Sequence, residues 1–347
     1  MEERFKQIIK EAYENEKTRE NYLSRLETVL RKVDADSLFT ILEDPVRWYP
    51  KIRDAYPSIT TRRNILTVIL ALFVKDKDLE EDVGSPEVQK KWRQYHDELS
   101  RYQKTQESKS EPSKKQVEKY TSFEEIETKY RELGKKHPHE SLRSSQQYIL
   151  LSVVLHLKPK RADLGSIKIY EEKNPNKTDE NYIVLRSRGS SFLVMNIYKT
   201  SKFYHTVEED LPRELTEDIR TSLRRHPRDY LLISSENKPM TNNTYAKWVT
   251  RTFEELFGKG TGVSLLRHSF ISEKLDVSNM TLAEREDVAR KMGHTVALQD
   301  RYRFVKPSLC PQICKSYIDQ HYTRKNTSKN SKKKTRKNRG FSSLLEV

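Results

Sequence analysis

The chain has 347 residues, long enough for two or three domains with real cores. Hydrophobic and charged residues each make up 34% and mean hydropathy is −0.89, so part of the chain is expected to be linker or tail. Sixty-six lysines and arginines face 51 acids, a formal charge of +15 that suits a polyanion. Each phosphate such a protein neutralises releases condensed counterions. No window is apolar enough to span a bilayer and residues 1–17 lack a signal-peptide core, so a soluble intracellular protein with no membrane partner is expected.

Helices come first along the chain. Tyr22, Leu23, Leu26, Val29, Leu30 and Val33 form one apolar stripe at helical spacing. A second helix runs through Ile65, Leu66, Val68, Ile69, Leu72 and Phe73, and residues 57–63 (PSITTRR) give it a Ser/Thr start together with Arg62 and Arg63. A polar helix follows over 86–102. Residues 1–103 are therefore expected as a helical domain. The polar run 104–115 (KTQESKSEPSKK) cannot bury enough apolar surface to offset its ordering, and is expected as a linker.

The second domain is expected over 116–322. Ser122 and Glu125 have the spacing of a capping box. Residues 144–157 read as an apolar helix ended by Lys158-Pro159. Strand-like runs follow at 166–170 (SIKIY), 182–185 (YIVL) and 192–198 (FLVMNIY), which fit a small antiparallel sheet of about three strands. Helices are expected again at 214–224, 243–257, 265–274, 282–292 and 309–322. The fold class implied is mainly α with a small antiparallel β-sheet, α+β. Cys310 and Cys314 are too few for a disulfide framework and lack companions for a zinc site, so they read as reduced thiols. Residues 323–347 read as a disordered tail. Its 323–339 stretch has nine basic residues and no acid, and Lys332, Lys333 and Lys334 suit nuclear import or a phosphate-binding arm.

Four stretches bear on chemistry: 158–164 (KPKRADL), 198–202 (YKTSK), 264–270 (SLLRHSF), and 292–295 (MGHT) with Tyr302 eight residues beyond His294. Phosphoryl transfer without a metal needs a nucleophile, cations on the non-bridging oxygens and an acid for the leaving alkoxide. Arginine suits the clamp because its planar fork donates in pairs and stays charged. A tyrosine can attack if those cations favour its phenolate. Each stretch alone has an ordinary explanation: lysine and arginine are common here, and Tyr302 is one of 18 tyrosines.

Together, in this order and spacing, they resemble the catalytic domain of the tyrosine recombinase (phage-integrase-like) family, and within it the branch of eukaryotic transposons and large DNA viruses. The helical N-terminal region is similar to that family's core-binding domain. The resemblance implies Tyr302 as nucleophile and Arg161, Arg267, His294 and Lys199 as its catalytic partners. Lys160 competes with Arg161, and Lys202 with Lys199. Asp163 would pair within the site. Arg62, Arg63, Lys202, Lys332, Lys333 and Lys334 are expected to contact DNA. Two departures stand out: Ser264 takes the place of the family's usual histidine, and the interval from His294 to Tyr302 is one residue short. His268 reads as a packing histidine.

The resemblance further implies a site-specific recombinase or integrase. It would work through a 3′-phosphotyrosyl intermediate without metal, ATP or other cofactor, on double-stranded DNA, as a homo-tetramer, in the nucleus. A type IB topoisomerase, a telomere resolvase and a catalytically silent DNA-architectural protein are the alternatives.

Overall fold

The computed structural model describes residues 3–75, 79, 82, 83 and 86–304. The expected helix at 309–322, both cysteines and the whole basic tail lie outside them. The chain divides into two compact units, Met1–Lys109 and Ser110–Val347.

The first unit is helical: α1 (Glu3–Ala12), α2 (Glu16–Val33), α3 (Leu38–Glu43), α4 (Pro45–Ala55), α5 (Ile59–Lys75) and α6 (Pro86–Glu107). Short polar side chains set the starts. Asn15, Ser37 and Asp44 each accept from the backbone N–H three residues on, and Pro45 opens α4 where its missing N–H costs nothing. In α5, Ile65, Leu66, Val68, Ile69, Leu70, Leu72 and Phe73 are all buried, which puts this helix at the centre rather than at the surface. Trp92 of α6 is fully buried and donates through its indole N–H to Leu42 O at 2.9 Å, tying α6 to the end of α3. Where the sequence suggests a linker over 104–115, α6 continues to Glu107 and the next helix, α7 (Lys114–Glu118), begins at its far end.

The second unit continues with α8 (Phe123–Gly134) and α9 (Leu142–His156), then a 3₁₀ turn (Ala162–Ser166). The capping box at Ser122 and Glu125 forms reciprocally. The sheet comprises β1 (Lys168–Glu171), β2 (Tyr182–Leu185), β3 (Phe192–Met195) and β4 (Val207–Asp210), with a short helix α10 (Ser201–Tyr204) between the last two. Helices α11 (Arg213–Arg225), α12 (Asn242–Phe257), α13 (Val263–Glu273), α14 (Leu282–Lys291) and α15 (Val296–Tyr302) follow among the described residues.

The unit is mainly helical with one small sheet, an α+β fold, but the sheet has four strands in the order β1-β2-β3-β4 and is mixed rather than antiparallel. β1 runs parallel to β2, with Lys168 opposite Tyr182, while β2–β3 and β3–β4 are antiparallel. Residue alternation encodes which face is buried; strand direction is set by how residues 172–181 carry the chain back. β4 is invisible to a hydrophobicity count because it reads VEED, yet Val207 and Glu209 are buried and Glu208 and Asp210 exposed. β2 and β3 are buried at every position, the mark of strands covered on both faces. Ile183, Leu185, Leu193 and Met195 join the main core with α9 and α11, while Tyr182, Val184, Phe192 and Val194 cluster with Tyr170 on the other face.

Truncation of the first unit's central helix gives the clearest stability test. Ile69→Ala should lower the unfolding free energy by about 2–5 kcal/mol in urea titrations, because a well-packed interior cannot collapse onto the lost volume. Val74→Ala, on the exposed face of α5, should change it by less than about 0.5 kcal/mol.

Candidate functional site

The second unit brings four distant stretches to one place. Arg267 lies in mid-α13 and is 1% exposed. Its Nη1 donates to Pro159 O at 3.0 Å and to Met292 O at 2.8 Å, so one guanidinium fixes both the 158–161 segment and the turn after α14. Its Nε and Nη2 are equally buried and have no hydrogen-bond partner among the described residues. Burial lowers its pKa, opposed chiefly by neighbouring Tyr302 and reinforced by Arg161, but a guanidinium stays charged in a protein. A buried charge with one satisfied edge and one bare edge is costly unless an anion meets it.

His294 follows in the same turn, again 1% exposed. Its Nδ1 lies 2.9 Å from Thr295 O, and because a carbonyl only accepts, Nδ1 carries the proton. Nε2 is then a lone pair in the neutral ring, and it too is buried without a partner among the described residues. Burial is the main reason its pKa falls to about 4; Arg267 and Arg161 push the same way, against the hydrogen bond to Thr295. Gly293 makes this turn possible. Its φ is +66°, and a Cβ there would meet Thr200 Oγ1 at 3.2 Å.

Tyr302 closes α15, and its ring fills the space beside these groups. The ring centroid is 5.0 Å from the Arg267 guanidinium carbon, 5.7 Å from the His294 ring and 4.7 Å from the His268 ring. His268 donates through Nδ1 to Tyr302 O at 2.7 Å and stacks on Phe304 at 4.3 Å. It therefore packs, as the sequence suggests, and also fixes the backbone of the tyrosine. Burial holds its pKa down to about 4 as well. The sequence offered no signal for that second role beyond adjacency to Arg267.

Arg161 is half-buried, at the entry to the 3₁₀ turn, with Nη1 3.5 Å from Thr200 Oγ1. Thr200 in turn donates to Gly293 O at 2.9 Å. Asp163 is buried and accepts from Asn242 at 3.1 Å. Burial raises its pKa, with Arg161 the strongest opposing influence. The competing Lys160 is engaged elsewhere. Only 5% exposed, it pairs with Glu209 at 2.5 Å and donates to Lys291 O at 2.6 Å, while Lys158 sits 3.4 Å from the other Glu209 oxygen. The Lys160–Glu209 pair, missed by sequence reading because β4 itself was missed, tethers the sheet to the residue just ahead of the Met292–Thr295 turn.

Lys199 is exposed in the β3–β4 connection, and among the described residues no hydrogen bond or ion pair joins it to this cluster. Its neighbour Thr200 is docked there, so the lysine stands at the rim. Lys202 is exposed in α10. Ser264 is exposed in the first turn of α13, one turn ahead of Arg267. Arg62 and Arg63 belong to the other unit, half-buried in the first turns of α5, each with a buried Nε lacking a partner among the described residues. Lys332, Lys333 and Lys334 lie outside the described residues. No group of described His, Cys, Asp and Glu residues is arranged to hold a metal ion, and no described helix is long and apolar enough to cross a membrane.

The two histidines make the second unit acid-sensitive. An unfolded histidine titrates near 6.5 and these near 4, so between those values the unfolded state binds more protons and stability falls with pH. His294→Gln should flatten that slope in thermal melts from about pH 6.5 to 4, and imidazole NMR should show both rings neutral at pH 7.

No family model matches the sequence, and no curated protein matches it. Among solved structures, the chain is similar to one described as the crystal structure of XerA recombinase, at 13% identity and a TM-score of 0.40, over 92% of this chain and 97% of that one.

Proposed function

We propose that the chain is a DNA strand-transferase that breaks and rejoins a phosphodiester through Tyr302, the chemistry of the tyrosine recombinases. The observation that carries the proposal is the convergence of a tyrosine ring, a buried arginine with a bare edge and a buried histidine with a bare nitrogen. An oxyanion meets the arginine's bare donors, and a proton taken up at Nε2 meets the histidine's lone pair. The Nε and Nη2 of Arg267 form the parallel pair that suits two phosphate oxygens, and its other edge is already locked by carbonyls, so it need not reorganise. Arg161 adds a second cation from the rim.

In the reaction, the Tyr302 oxygen attacks phosphorus, the bond to the 5′-oxygen breaks, and a 3′-phosphotyrosyl ester forms. The neutral His294 ring presents Nε2 as a lone pair, so it can take the phenolic proton and then donate to a non-bridging oxygen. Lys199, at the rim, protonates the leaving 5′-oxygen. A 5′-hydroxyl from another strand then reverses the sequence. The bond energy is kept in the ester, so the exchange needs no nucleotide hydrolysis. Duplex DNA is the partner. A tetramer on two DNA sites and action in the nucleus complete the reading. Arg62 and Arg63, with partly buried stems and unmet donors, support a second DNA contact on the helical unit.

The test is covalent capture. Nicked suicide duplexes of randomised sequence should give a denaturation-resistant adduct with the wild-type chain and none with Tyr302→Phe; an adduct that survives this change sinks the assignment. Arg267→Lys should lower the yield of adduct by about 10²–10³, because an ammonium cannot replace a paired donor edge. No adduct on any duplex, with binding retained, would indicate a silent architectural protein. Supercoil relaxation by a monomer without strand exchange would indicate a topoisomerase.

A further inference from the structure

The β3–β4 connection holds an aromatic side chain in water. Phe203, in α10, is 80% exposed, and Ile197 at the other end of the connection is 53% exposed. Leaving a phenylalanine in solvent forgoes most of the stabilisation its burial would bring. Isolated apolar residues are common on surfaces, but this one sits in a segment fixed at many points. Asn181, itself buried, accepts from the N–H groups of Asn196 and Ile197, both at 2.7 Å, and donates to Ile197 O at 2.7 Å. Tyr198 donates to His205 O at 2.7 Å across the connection, Phe203 N donates to Thr200 O at 3.0 Å, and Thr200 is docked on Gly293 O.

The exit is strained. His205 has φ 52° and ψ −151°, a region that side chains other than glycine rarely enter. Such strain persists only where surrounding contacts over-determine the backbone. Phe203 stands exposed in this fixed segment, with exposed Lys199 and Lys202 before it in the chain and exposed His205 after it.

We propose that Phe203 is an apolar wedge that packs against the bases of duplex DNA beside the phosphate held by Arg267 and Arg161, with Lys202 on a flanking phosphate. The proposal rests on the DNA reading above. The chemistry favours DNA over a protein face: the connection carries two exposed lysines, Lys199 and Lys202, and is joined through Thr200 to the turn that carries His294. Apolar wedges of this kind, rimmed by basic residues, enter duplexes between base steps. A wedge and a phosphate contact differ in one measurable respect. Only the latter releases counterions.

The experiment is anisotropy titration of a mixed-sequence duplex of several helical turns over a salt series, using the full chain. Phe203→Ala should weaken affinity by about tenfold at every salt concentration with an unchanged slope, in the range seen when an aromatic that stacks on a base is removed. Lys202→Ala should instead lower the magnitude of the slope by about 1. Phe203→Trp should retain affinity, and its emission in excess of wild type should be quenched on adding duplex. Wild-type binding with Phe203→Ala equally tight overturns the wedge and leaves the DNA reading intact. A wild-type chain that does not bind duplex overturns both. If Phe203→Ala alters sedimentation of the free protein but not duplex affinity, the ring meets a second copy of the chain and the wedge is wrong.

Discussion

The geometry of the second unit depends on one buried guanidinium. Arg267 ties the carbonyls of Pro159 and Met292 together from the interior of α13, and those residues border the segments that carry Arg161 and His294. Removing a charge from water is costly, and two carbonyl acceptors return only part of that. A second buried cation, Lys160, lies in the same region and is met by a full carboxylate, Glu209, and by Lys291 O. The contrast is informative. One cation is neutralised within the fold, while the other keeps a donor edge without a hydrogen-bond partner among the described residues, beside the ring of Tyr302.

How much of this could be read from residues alone follows from what kind of information residues carry. Helices were legible because apolar side chains recur with the helical period and because Ser122–Glu125 is a local signal. The four chemical stretches were legible by order and spacing, though their meeting in space was not. The parallel pairing of β1 and β2 was illegible because alternation has no sign for direction, and β4 because two of its acids face solvent while a third is buried by lysines that lie far away in sequence. Choosing between Lys160 and Arg161 is likewise a three-dimensional matter: only the ion pair with Glu209 shows that the lysine is already occupied.

Histidines illustrate the same limit. Order and spacing separate His268 from His294 in the sequence, but do not show that His268 holds a backbone carbonyl and stacks on a phenyl ring while His294 offers a buried lone pair. Their shared burial gives them the same low pKa, so titration alone does not distinguish them either. Their roles follow from what the second ring nitrogen faces.

The double duty of Arg267 has a consequence for comparing chains of this kind. On the proposed function, a descendant that abandoned strand cleavage would still need that arginine to hold Pro159 and Met292, so its retention is no marker of activity. Lys199 is the opposite case: it is exposed, and no described side chain depends on it. Drift would erase it first. If the proposed chemistry holds, whether lysine persists at that position is therefore the cheaper sign, in any set of variants or relatives, of whether it has been kept.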